Sequence, residues 1–476
     1  MAAKIINKSF FTALIIASLG GCVPLLKNTK TENKAVPSSF NNSTDTVTIG
    51  KLKWKDYFSD PNLIALIDTA LKNNQELNII KQEIEISKNE VRARKGEYLP
   101  FLGLITGAGY EKIGKYTWRG GIEENIDLKH NPETIESKSD FLIGVSASWE
   151  LDIWKKLHNS KKAAFARYLS SIEGKNFMVT TLIAEIANSY YELMAFDNLL
   201  DIVQKNILVQ NDALKVVKGQ KDAAKVTQLA VNRFEAQLLN TQNLQYEINQ
   251  KITETENRIN FLTGRFPIPI QRSSADFYIL TIDSVQIGIP SQLLINRPDI
   301  RQAEKELVAA KLDIKVARAN FYPSIRITAQ SGFQAFNPKY LVNPQAMVYN
   351  LAGELVAPLI NRNAIKATYY SANAKQIQAV FKYEQTILKS HIDVLNELAK
   401  IDNYSKSYAT KSKEVNILVQ SVTIANNLFN SARADYAEVL LTQREVLDSK
   451  MELIEIKMKQ INTKINIYKA LGGGWN

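Results

Sequence analysis

The chain has 476 residues, 45% hydrophobic and 22% charged, enough to bury several cores; one cysteine and three histidines leave almost no material for zinc or thiol chemistry. Its formal charge is +11, yet the 59 Lys and Arg are interleaved with 48 Asp and Glu along helical stretches, which argues for solvated faces and against nucleic-acid binding. Beyond the first residues no stretch approaches 18 uninterrupted apolar positions, so no later segment has the composition of a membrane-spanning helix.

Lys4 and Lys8 precede a mostly apolar run from Phe10 to Leu19, which ends in Leu19, Gly20, Gly21 and Cys22. The run is too short to cross a bilayer and reads as a secretory signal peptide, residues 1–21. The single cysteine directly after the small residues has the spacing of a bacterial lipobox, where it becomes the lipid-bearing first residue and its acyl chains hold the protein on a membrane. Val23 follows in place of an acidic residue, which under the lipoprotein sorting pattern points to the outer membrane. Loss of Lys4 and Lys8 lowers the net charge to +9. Residues 22–50, polar and rich in Asn, Thr and Ser, read as a lipidated N-terminal tether.

Two repeats follow, predicted over 51–270 and 296–476 with a connector at 271–295. In the first, Asp60 and Pro61 read as cap and first turn of a helix. Pro100 then ends a helical stretch, and Leu102, Leu104, Thr106, Ala108 and Tyr110 share one face of a predicted strand over about 101–112. A partner at about 141–150 places Phe141, Ile143, Val145 and Ala147 together. The long loop between them, about 112–140, is polar. A ladder of apolar residues spaced by seven comes next: Ile172, Val179, Ile186, Leu193, Leu200, Ile207 and Leu214. At 1.5 Å per residue a helix over roughly 160–220 reaches on the order of 90 Å, and such a rod must pack on other rods. It returns through Val231, Leu238, Ile252 and Ile259.

The second repeat copies the first. Pro323 pairs with Pro100 at an offset of 223, and Ile325, Ile327, Ala329, Ser331 and Phe333 share one face of a strand over about 324–334 with Arg326, Thr328, Gln330 and Gln334 on the other. Its partner is predicted at about 346–356. The second ladder, Ile387, Val394, Ile401, Tyr408, Val415, Val422 and Phe429, then matches the first from Val179 onward at an offset of 208, so the first strand-to-strand loop is 15 residues longer than the second. The second return helix carries Val439, Val446, Gln460 and Ile467 beside Leu440, Leu447, Ile454, Ile461 and Tyr468, a double stripe that predicts contacts on both flanks. The fold class is mainly α with a small β part. Four strands cannot close a membrane barrel, for which eight is the usual minimum, so the protomer is expected to oligomerise, and three copies would supply twelve strands.

Three stretches resemble the outer-membrane efflux factors of the TolC/NodT class: DPNLIALIDTALKNN from Asp60, NRPDIRQAEKELVAAKLDIKVARANFYP from Asn296 to Pro323, and YKALGGGW from Tyr468 to Trp475. In the second, Asn296 can cap, Pro298 suits a first turn and Asp299 sits favourably near a helix N-terminus. The resemblance spans nearly the whole chain after the signal. It implies a homotrimer with a 12-stranded β-barrel continuous with a 12-helix α-barrel, extending into the periplasm from the outer membrane of a Gram-negative bacterium. It further implies an exit duct that passively conducts small molecules for an inner-membrane efflux transporter and a periplasmic adapter protein. No enzymatic activity and no cofactor is expected.

The turns between long helices, KDAAKVTQLAV from Lys221 and NSARADYAEVL from Asn430, should form the periplasmic tips. Ala224, Lys225, Val226, Ala432 and Arg433 are the candidate adapter contacts. Ala224 and Ala432 stand where the family usually has glycine, and alanine disfavours positive φ, which predicts turns kept in helical or extended backbone. Asp435 lies near the acidic position that narrows the entrance in some relatives; as a threefold ring it would bind cations, with Arg433, Tyr436 and Asp222 as candidate partners closing the gate. A solvated turn residue is an equal reading of Asp435. Gly109, Gly114 and Lys115 imitate a phosphate-binding loop, but Tyr116 replaces the required hydroxyl residue and no helix follows. Two alternatives remain: an outer-membrane duct for protein secretion, and a non-channel coiled-coil lipoprotein acting as adhesin or spacer.

Overall fold

Among the described residues, seven long or medium helices and four strands carry the pattern. The computed structural model describes residues 23–40, 47–114, 116–119, 138–280, 286–431 and 433–475; the signal segment, Cys22 and Ala432 lie outside the described residues. In chain order come α1 (Pro61–Asn73), α2 (Gln75–Glu97), β1 (Phe101–Glu111), β2 (Lys138–Leu151), α3 (Lys156–Asp222), α4 (Gln228–Leu262), α5 (Pro298–Ala319), β3 (Ser324–Ala335), β4 (Met347–Val356), α6 (Asn363–Asn430) and α7 (Tyr436–Ala470). The two copies match closely in size: α3 and α6 have 67 and 68 residues, α4 and α7 have 35 each. The chain divides into two compact units. One comprises Met1–Thr31, Ile86–Tyr168 and Lys305–Val380; the other comprises Glu32–Glu85, Leu169–Glu304 and Phe381–Asn476. Each therefore draws on both repeats.

In the second unit the heptad ladders become buried seams. None of the fourteen rungs of the two ladders is exposed. Ile186, Leu193 and Val203 of α3 share one core with Ile248 and Ile259 of α4 and with Leu447, Ile454, Ile461 and Tyr468 of α7, so one of the two α7 stripes packs against the first hairpin. A fully buried apolar side chain contributes about 1.5–3 kcal/mol, which makes this seam the main source of cohesion in the unit. Asp60 caps α1 as its sequence suggests, accepting from the backbone N–H of Asn62 at 2.8 Å and of Leu63 at 3.3 Å, and its other oxygen accepts from the buried Tyr190 hydroxyl at 2.8 Å.

The segment read as a tether is fastened down where it is described. Val23 and Leu26 pack on Phe321 and Tyr369. Asn373 and Gln376 of α6 donate side-chain N–H groups to the carbonyls of Asn28 and Lys30 at 2.8 and 3.1 Å. Further on, Lys34 pairs with Glu304 at 2.7 Å, and Phe40 is fully buried against the ring of His391. A polar coil would give those carbonyls to water; here helix side chains supply the donors instead.

The tips correct one expectation. Ala224 adopts φ +55°, the left-handed conformation its Cβ was expected to forbid. The cause is the way α3 ends: Lys225 N–H donates to the Gln220 carbonyl and Ala224 N–H to the Lys221 carbonyl, at 2.8 and 2.9 Å, a double closure that requires one left-handed residue. Satisfying two terminal carbonyls outweighs a conformational cost of about 1–2 kcal/mol. At the other tip Arg433 N–H donates to the Leu428 carbonyl at 2.8 Å, the same bond displaced by 208 residues. Replacing Ala224 with Gly is expected to stabilise the protein by about 0.5–1 kcal/mol, read as a higher unfolding midpoint in detergent. A lower midpoint would contradict the strain.

Candidate functional site

The sheet lies in the first unit and is antiparallel throughout, in the order β1-β2-β3-β4. Its register sets Leu104 beside Val145, Val145 beside Ser331 and Ser331 beside Tyr349, and likewise Leu102, Ala147, Ala329 and Leu351. The apolar alternations of all four strands therefore fall on one face. That face is bare: Leu102, Leu104, Tyr349 and Leu351 are each at least 70% exposed. On the other face stand Gly103, Ser146 and Gln330 in one row and Ile105, Gly144 and Gly332 in the next. Gly144 and Gly332 meet so closely that a Cβ on Gly332 would lie 2.3 Å from the Ile143 carbonyl oxygen. Outer edges of β1 and β4 carry no strand partner among the described residues. A sheet with one bare apolar face and two open edges leaves both surfaces for something else to cover.

Where β2 ends, Asp152 secures the start of α3, accepting from the N–H groups of Leu157 and His158 at 2.9 and 2.8 Å and lying 2.6 Å from His158 Nδ1. Burial pushes its carboxyl pKa up, but those hydrogen bonds to the charged form outweigh burial and hold it below the usual value.

The candidate tip residues share the second unit but do not bond as a gate within one chain. Tyr436 and Val226 pack on a cluster of Leu214, Val217, Val231 and Phe234. Asp222 lies 3.5 Å from Lys221 and is largely exposed. Asp435 precedes α7 without capping it, and among the described residues neither Asp435 nor Arg433 makes a side-chain hydrogen bond or ion pair. Both are exposed.

Two sequence stretches that stand 170 residues apart meet in one knot, a relation no spacing rule exposes. Arg297 is 6% exposed and clamps Asp299 through Nε and Nη2 at 3.0 and 2.7 Å, while Nη1 donates to the Ala470 carbonyl at the end of α7 at 2.9 Å. Asn296 does not cap α5, as its position suggested. It ends a short helical turn, and its carbonyl accepts from Trp475 Nε1 at 3.0 Å. Gly472 has φ +88°, and a Cβ there would lie 2.6 Å from the Asn296 carbonyl oxygen; one on Gly473 would strike the Tyr468 ring. Arg301 covers Trp475 at 5.0 Å and pairs with Glu173 at 2.5 Å. Beside the knot Lys469, Asp299, Asp393 and Glu397 line a cavity of about 280 Å³, and burial holds Lys469 below the usual lysine pKa. With Arg297 and Lys389, which also line it, three cations face three carboxylates there, and among the described residues no group of three His, Cys, Asp or Glu could hold a metal.

Two outcomes are expected. Arg297→Met strands the Asp299 carboxylate and the Ala470 carbonyl, costing about 3–5 kcal/mol in unfolding, with a smaller loss when Asp299→Leu is added. Asp152→Ala costs about 1 kcal/mol at neutral pH. Because the folded pKa of Asp152 is depressed, its contribution is present above the unfolded value near 3.9 and is lost as pH falls through the folded value; a wild-type advantage that persisted in stronger acid would contradict this.

Comparison with known proteins agrees with this geometry. The sequence model of the outer membrane efflux protein family matches residues 66–265 and 289–473. SrpC of Pseudomonas putida, named as the outer membrane protein of a solvent efflux pump, is 27% identical over 89% of this chain and 88% of its own length. SilC of Salmonella typhimurium, named as a probable outer membrane lipoprotein, is 25% identical over 96% of each. A solved structure of CusC, whose Escherichia coli form is named as a cation efflux system protein, shares the fold with a TM-score of 0.82 at 23% identity, over 94% of this chain and all of that one. Matched across most of its length by that family, the chain belongs to the outer membrane efflux proteins.

Proposed function

We propose that three copies of this chain join edge to edge, β4 of one against β1 of the next, to close a twelve-stranded barrel in the outer membrane, while their hairpins form a twelve-helix periplasmic tunnel. The assembly is the passive exit duct of a tripartite efflux pump for small molecules. The observation that carries this reading is the sheet itself. Because β1 and β4 run antiparallel, copies added at either edge continue the alternation, and closure gives every edge N–H and C=O a partner in lipid. Members of the family form trimeric channels and work with adapters and inner-membrane transporters.

The helices support the same reading. A second set of apolar residues spaced by seven stays uncovered in one protomer: Val209 and Val216, Leu239 and Tyr246, Ile417 and Ile424 are all more than half exposed. Neighbouring copies would cover them. In this reading residues 1–21 are removed, the acylated Cys22 anchors the protein to outer-membrane lipid, and Ala224, Lys225, Val226, Ala432 and Arg433 meet the adapter. Asp435 repeats around the threefold axis as the gate, with Arg433, Tyr436 and Asp222 as its partners across copies. Among the described residues of one chain it has no side-chain partner, which leaves it available for that role.

Recording from purified protein in planar bilayers tests the duct. The expected result is a cross-linkable trimer with cation-preferring channels whose single-channel conductance rises in Asp435→Ala. A stable monomer without conductance would remove the duct, whereas channels indifferent to Asp435 would remove only the gate.

A further inference from the structure

All four strands meet helices at one end of the sheet: β1 after α2, β2 before α3, β3 after α5 and β4 before α6. At that end Trp149 Nε1 donates to the Tyr98 carbonyl at 3.1 Å and Trp154 Nε1 to the Pro323 carbonyl at 2.7 Å. Trp154 stacks on Tyr322, and Tyr98 stacks on His158 with Lys161 Nζ 5.6 Å from its ring centre. Trp149 belongs to the apolar face, in register with Ile327. Aromatic rings bonded at one edge and apolar elsewhere sit where hydrocarbon gives way to water.

Charge gathers at the same level. Residues 92–100, 150–162, 318–326 and 354–366, under a tenth of the chain, hold eleven Lys and Arg against four Asp and Glu. These windows thus carry +7 of the total +11. By sequence alone, the segments joining β1 to β2 and β3 to β4, residues 111–140 and 336–346, sum to −1. Arg92, Lys95, Lys155, Lys162, Arg318 and Lys366 are exposed, and among the described residues none has a carboxylate partner. Scattered charge on a helix needs no ligand. Six unpaired cations in one band beside an aromatic border meet the chemistry of a surface of phosphate esters.

We propose that this band binds the headgroups of anionic phospholipid in the leaflet bordering the helices, and prefers them to zwitterionic ones. It rests on the reading of the sheet as a membrane wall. The cations add attraction that falls off within a Debye length, so the preference is confined to lipids in contact with the band and weakens with salt.

The test uses full-length protein reconstituted into phosphatidylcholine vesicles containing phosphatidylglycerol, then extracted and assayed for retained lipid, alongside conductance and cross-linking. The comparison carries Lys95→Gln, Lys155→Asn, Lys162→Gln and Lys366→Gln together; Asn suits φ +57° at position 155. Wild type is expected to retain phosphatidylglycerol over phosphatidylcholine by on the order of tenfold at low salt, and the quadruple variant to lose most of that preference while conducting as wild type. Equal retention of both lipids by wild type would overturn the proposal, as would an undiminished preference in the variant. A variant that falls to monomer would also overturn it, because the band would then face a neighbouring copy. Wild type that does not conduct would instead overturn the channel reading and this one with it.

Discussion

A strand edge cannot remain bare in hydrocarbon, because each unpaired N–H or C=O there costs several kcal/mol. This chain has a four-stranded sheet with one apolar face and two such edges, and that mismatch governs the rest. A protomer alone cannot satisfy it. The same shortage recurs in the helices, whose outer apolar stripes have no cover within one chain although their inner stripes are well packed. In the proposed assembly one operation, the addition of identical copies about an axis, would answer both incomplete surfaces and couple strand and helix assembly by symmetry.

Against this demand the knot of Arg297, Asp299, Ala470 and Trp475 is a local solution. Helix α5 begins beside the end of α7, where a carbonyl needs a donor and a helix C-terminus favours a cation. One guanidinium meets both needs and is itself neutralised by Asp299. Gly472 and Gly473 are a consequence, since the backbone passes so near Asn296 and Tyr468 that side chains do not fit, while Gly474 is required by its φ of +103°.

Much of the fold was legible because two periodicities are unambiguous over long windows. Seven-residue ladders mark α3 and α6, alternation marks the strands, and two prolines mark the switch between them. The faces of three strands could be assigned before any register was known, since Leu102, Phe141 and Ile325 each begin an apolar alternation, whereas β4 was foreseen only as a partner without a face. The knot was not legible: RPD and GGGW are recognisable words, but that they touch depends on how α7 returns. Asn296 misled for this reason, its carbonyl being claimed by Trp475. Ala224 misled because a residue preference was weighed without the carbonyls it helps to satisfy. The band of cations at the sheet's helix end escaped notice because its members are dispersed over four segments, and only the topology brings them to one level.

The face that would line the bore mixes glycine, serine and amides with the apolar Phe101, Ile105, Leu142 and Val348, and the Gly144–Gly332 pair is its tightest point. A wall that alternates small, polar and apolar groups offers passing solutes no single chemistry to adhere to. Such a conduit is chemically indifferent, so it can serve whichever cargo is loaded at its far end, and a change of cargo demands no change in its lining.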